Sequence, residues 1–202
     1  MSVILRFRLF IMSAGGVALW ACEAQPVTPA SDWIWEYPSH FPEPDVPEDN
    51  PMTIAKIELG RRLFHDFQLS YAGDRSCGIC HEQKKGFTDG FARSVGTDEQ
   101  AHPRNSLSVA NAAWRGPLTW RNPELQSLEA QLLEPLLGTE PIVEMGMGGH
   151  EGVLIERLCE TEGYIGAFEL AFPEEPEPIH VDNVARAIAS YERSIISADS
   201  PY

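Results

Sequence analysis

Two cysteines three positions apart, followed at once by a histidine, stand at Cys77-Gly78-Ile79-Cys80-His81. Two thiols so spaced on a helical turn can add to the two vinyl groups of a haem, and the imidazole of the next residue then reaches the iron from one face. Two other chemistries use a C-x-x-C pair. A thioredoxin-like dithiol expects a βαβ context, which the pattern lacks, and a zinc site needs a further cysteine or histidine pair of suitable spacing. The motif therefore predicts one covalent haem c held by Cys77 and Cys80, with His81 on the metal. Cys22 and Cys159 make no disulfide framework with them, and Cys159, in a predicted helix, is read as a buried free thiol.

The elements that must position this motif read as helices joined by long loops. Asn50 is a good N-cap with Pro51 at the first helical position, so a first helix is predicted to run to about His65. A short helix carries Cys77 to about Lys84. Ser106 to Trp114 and Ser127 to Leu137 follow, the latter with Ser127 as cap, Glu129 in its first turn and Gly138 past its end. One or two helices span 149–172, broken near Gly163. The last runs from Val181 to about Ser197, with Val181, Val184, Ile188, Tyr191 and Ile195 on one face. No stretch alternates with a two-residue period and no internal repeat is present. The fold class is mainly α, a cytochrome c-like haem domain with long ordered loops.

Residues 1–21 carry Arg6 and Arg8, then a short apolar run ending at Ala21-Cys22. That is the pattern of a secretory signal, and the run is short for a bilayer span. Leu19-Trp20-Ala21-Cys22 is similar to a lipobox, with Trp20 bulky for its place, so Cys22 is either lipidated or left by plain cleavage. Periplasm or cell envelope is the expected location, with a membrane link only through that lipid. Residues 22–48, rich in proline, read as a tether whose aromatic second half, Trp33 to Phe41, lies against the domain of residues 49–202. The net charge of −15 excludes a nucleic-acid surface, since no basic stripe is present to release counterions.

Around the C-x-x-C-H, a series of segments resembles the N-terminal haem domain of the di-haem cytochrome c peroxidase and MauG family. They are DNPMTIAKIELGRRLFHDFQLS (49–70), SCGICHEQKKGFTDG (76–90), HPRNSLSVANAAW (102–114), LTWRNPELQSLEAQLLEPLLG (118–138), VEMG (143–146) and VARAIASYERSIISADSPY (184–202). The stretch from Leu118 is similar to the branch associated with methanobactin gene clusters, whose members oxidise a partner protein.

The resemblance implies a peroxidase-like oxidoreductase that reduces hydrogen peroxide or uses it to oxidise a partner, with a redox protein as donor or target. It makes His81 the proximal ligand and Glu144 the distal acid/base, with Glu140 the nearest rival. It makes Trp120 the tryptophan that helps charge cross between haems, against the reading of an ordinary core residue. Arg61, Arg62 and Arg104 fall in matched stretches and could pair with haem propionates.

Two departures qualify the match. Thr97 occupies the place of a second, removable histidine ligand, with His102 nearby. Family members also continue past Asp-Ser-Pro-Tyr into a second domain with its own C-x-x-C-H, whereas Tyr202 is the last residue here; a fragment, a broken gene and a one-haem protein are the readings, in that order. The alternative of a different class is a one-haem electron carrier, with Met145 or Met147 as second axial ligand from the glycine-rich loop 146–152.

Overall fold

Thr53 accepts a hydrogen bond from the Lys56 amide (3.2 Å) and so starts α1, Ile54–Phe64. The computed structural model describes residues 32–120 and 122–199. The leader and Cys22 lie outside the described residues. After α1 come α2 (Cys77–Cys80), α3 (Leu128–Leu137), α4 (Glu151–Glu160), α5 (Tyr164–Ala171) and α6 (Val181–Ser194), with single 3-10 turns at Phe67–Leu69, Gln83–Lys85 and Ala112–Trp114. Among the described residues β structure is confined to isolated bridges. The domain is mainly helical.

The most extensive helix contact is between α1 and α6. It is close because Gly60 presents no side chain: a Cβ there would run into the Ala187 carbonyl oxygen. Leu63, Phe64, Leu69, Leu154, Leu158, Tyr164, Phe168 and Val184 fill the core behind this pair and are fully buried. Beside it, Arg193 donates twice to the Glu129 carboxylate (2.6 and 2.8 Å), tying α6 to the first turn of α3.

Helix α1 starts later than Asn50. The Asn50 amide instead donates to Glu129 (2.7 Å) and to the Arg186 carbonyl (3.1 Å), and its oxygen accepts from Lys56 (3.0 Å). Tertiary bonds have replaced the cap. Nor do residues 106–111 form a helix; only Ala112–Trp114 make a 3-10 turn. Ser108 Oγ accepts from the Ala110 amide, Asn111 adopts φ 58°, and Arg115 donates to the Ser108 and Ala110 carbonyls. These side chains satisfy the backbone groups a helix would have used. Cys159 is exposed, not buried, because it sits one position off the stripe through which Leu154 and Leu158 face the core.

Trp33, Trp35, Tyr37 and Phe41 form an edge-to-face cluster with Trp114, whose indole donates to the Pro42 carbonyl (2.8 Å). No helix among the described residues is long and apolar enough to cross a membrane.

Candidate functional site

Helix α2 is a single turn, and His81 caps it by donating its backbone N–H to the Cys77 carbonyl (2.9 Å). The His81 ring places Nδ1 3.1 Å from the Phe87 carbonyl oxygen. A ring that donates from Nδ1 to a backbone carbonyl keeps the Nε2 lone pair free for a metal. Burial lowers the His81 pKa, although the Phe87 bond opposes it, so the imidazole is held neutral, as a ligand must be. Burial pushes the Cys80 thiol up to about 11 and the Cys77 thiol higher still. Both sulfurs are therefore kept as thiols, whose S–H can add across a vinyl bond without a leaving group. The turn is tightly backed: a Cβ at Gly78 would collide with the His65 ring.

The Glu144 loop is held by the end of α3. Carbonyls in the last turn of a helix lack intrahelical donors, and here Pro135 and Leu136 accept from the Met145 and Met147 amides (both 3.1 Å). Thr97 N–H bridges the Val143 and Glu144 carbonyls, and Tyr71 N–H binds the Met145 carbonyl (2.8 Å). The loop is thereby fixed on three sides. From it the Glu144 carboxylate meets His102, Oε1 to Nε2 at 2.9 Å. Burial raises the Glu144 pKa and His102 pulls it back.

Cys77, Cys80, His81, His102 and Glu144 converge on one cavity of about 740 Å³, a size usual for a cofactor site. Leu132 of α3, Ile142, Val109, and Val184 and Ile188 of α6 supply its apolar walls. Arg104 and Trp120 also line it, with the guanidinium over the indole (5.7 Å). Trp120 is 53% exposed, so it is not a core residue; its indole donates to the Asn105 carbonyl (2.9 Å). Glu140 and Met145 are on the wall as well, while Met147 is buried in the core away from it.

Arg61 is not brought to this cavity. It pairs with Glu58 (2.8 Å) on the exposed side of α1, and Arg62 stacks on Tyr164 and donates to the Glu162 carbonyl. Among the described residues, the arginines on the wall besides Arg104 are Arg75 and Arg115, which sequence reasoning missed together with Glu192. Glu192 had a readable signal: it lies four and eight residues after Ile188 and Val184, on the buried stripe of α6, where an acid is out of place. Arg75 and Arg115 carried none.

The chemistry of the wall fits a haem. Three buried polar atoms without a hydrogen-bond partner, Arg75 Nε, Ser94 Oγ and Glu192 Oε2, belong to residues lining the cavity. Such atoms are costly when left unmet, by about 1–3 kcal/mol each, so a group that is apolar in its body and polar at its edge suits this space. No cluster of three metal-binding side chains occurs among the described residues.

The model of the family described as di-haem cytochrome c peroxidase matches residues 54–202. The methylamine utilization protein MauG of Methylorubrum extorquens is 36% identical over 156 residues, 77% of this chain and 42% of its own length. The cytochrome c551 peroxidase of Pseudomonas aeruginosa is 32% identical over 152 residues, 75% and 42% of the two chains. A crystal structure of a MauG-like protein associated with microbial copper homeostasis superposes with a TM-score of 0.80 at 44% identity, covering 83% of this chain and 48% of that one. The chain thus spans less than half the length of these relatives. By the family match over residues 54–202, the shared sequence and the shared helical fold, the chain belongs to the di-haem cytochrome c peroxidase family.

Proposed function

We propose that residues 49–202 form a haem c domain that reacts with hydrogen peroxide. The observation that carries this reading is the meeting of the C-x-x-C-H turn and the Glu144–His102 pair on one apolar cavity. Cys77 and Cys80 would hold the ring by thioethers, and His81, oriented through its Nδ1 by the Phe87 carbonyl, would bind the iron. Arg75 and Arg104 are the candidate partners of the propionates.

When bound, the haem supplies a redox-active iron at which the O–O bond can be reduced. The residues manage the protons. Glu144 would take a proton from one peroxide oxygen and deliver it to the other. His102, 2.9 Å away, keeps the carboxylate aimed into the cavity and favours its ionised form. Overall, peroxide, two protons and two electrons yield two waters; the electrons come from a redox protein donor or from a partner protein that is thereby oxidised. An exported, envelope-located protein is part of this proposal, carried by the leader of residues 1–21.

Mixing the ferric full-length protein with peroxide tests the reading. A Soret change that is fast in the unaltered protein and slowed in Glu144→Gln supports it. Because Met145 also lines the cavity, an electron carrier is the competing reading. A six-coordinate, low-spin spectrum with a thioether signature and no response to peroxide would establish that one instead.

A further inference from the structure

α6 presents an apolar face to the cavity through Val184, Ala185 and Ile188, and the next side chain in that row is the carboxyl of Glu192. Glu192 is 3% exposed, and its Oε2 has no hydrogen-bond partner. Peroxide chemistry at Glu144 gives this acid no task.

Its surroundings do not neutralise it by pairing. Arg193, its neighbour in sequence, is occupied by both oxygens of Glu129. Arg115 lines the same cavity, but its two terminal nitrogens donate to the Ser108 and Ala110 carbonyls. The Glu129 carboxylate on α3 adds a like charge that raises the Glu192 pKa, Cys77 on α2 and Tyr191 on α6 also couple to it, and α1 meets this part of α6 through Phe64 and His65 against Tyr191. The carboxyl is left in a largely apolar wall with cations near but committed elsewhere.

We infer that Glu192 is a proton site linked to the oxidation state of the haem: it binds a proton when the iron is reduced and gives it up when the iron is oxidised. The inference rests on the proposed haem site. One electron entering the iron lowers the positive charge in the cavity by one, and one proton from solvent then joins the Glu192 carboxylate; oxidation reverses both. Low dielectric strengthens this coupling, since little water screens the two charges. In the protein without haem, burial already lifts the Glu192 pKa to about 8, with Arg193 and Arg115 opposing, so its titration falls in an accessible range.

The test is the midpoint potential of the full-length, haem-loaded protein as a function of pH. Linkage requires the potential to fall as pH rises between the two pKa values, with a limiting slope of ~59 mV per pH unit for one proton per electron. Glu192→Gln, which keeps the shape and cannot ionise, is expected to lose most of that slope. A redox infrared difference spectrum of the unaltered protein is expected to lose a protonated-carboxyl C=O band on oxidation, and the band is expected to be missing from the Gln variant. A potential independent of pH from about pH 6 to about pH 9, or a slope that survives in Glu192→Gln, would overturn the assignment while leaving the haem site intact. Failure to obtain any covalent haem would overturn both.

Discussion

His102 Nε2 lies 2.9 Å from Glu144 Oε1, bringing together two residues 42 positions apart in the chain. The contact is made possible by two loops that fold onto each other: Thr97 binds the carbonyls of Val143 and Glu144, and the His102 amide binds the Ser94 carbonyl (2.6 Å). It gives His102 a partner other than iron, and it gives Glu144 a counterweight to its own burial.

Glu144→Gln removes the proton acceptor and is expected to slow the reaction with peroxide by about 10²–10⁴-fold, measured by stopped-flow absorbance. An unchanged rate would move the role to another group, with Glu140 first in line.

Substituting His102 by Ala removes the influence that lowers the Glu144 pKa and leaves the burial that raises it. The carboxylate then forms only at higher pH, so the rising limb of the peroxide rate against pH is expected to move upward. A limb at the same pH in both proteins would show that the pair does not set the acid/base state.

Glu129 and Arg193 make a largely buried bidentate pair, and Arg193 is 3% exposed. Glu129→Ala would leave a buried cation without its partner and is expected to cost about 3–5 kcal/mol in denaturant unfolding. Burial alone would raise the Glu129 pKa, but the bonds from Arg193 and Asn50 outweigh it and the net shift is downward. A depressed carboxylate stabilises the fold above its unfolded pKa and loses that contribution as pH falls through the folded value. Acid unfolding is therefore expected to be less steep in the variant than in the parent.

Gly60→Ala would press a methyl group against the Ala187 carbonyl and force α1 away from α6. A loss of about 1–3 kcal/mol is expected, without a change in the haem spectrum while the protein remains folded. A variant as stable as the parent would mean that the two helices can separate freely.

Much of this architecture was written locally. Ser127 and Gly138 bound α3, and Gly163 separates α4 from α5, because caps and breakers act through neighbouring backbone groups. Residues 106–111 and Asn50 misled because distant partners decided their state: Arg115 claims the carbonyls of the first, and Glu129 with Arg186 claims the amide of the second. The same division runs through the site. Cys77, Cys80 and His81 are contiguous, so their chemistry could be read from spacing, and Glu144 came from resemblance. Arg75, Arg115 and Glu192 reach the cavity only through tertiary packing. Arg61, one position from Arg62 and inside a matched segment, points to solvent and pairs with Glu58 on the exposed side of α1.

The haem linkage is the most direct test of the whole account. Purify the full-length protein from a host competent in cytochrome c maturation, unfold it, and extract it with acidified organic solvent. The chromophore is expected to stay with the polypeptide, and to be lost to the solvent when Cys77 and Cys80 are both replaced by serine. Pigment that leaves the unaltered protein, or that stays on the double variant, would contradict attachment through these two sulfurs.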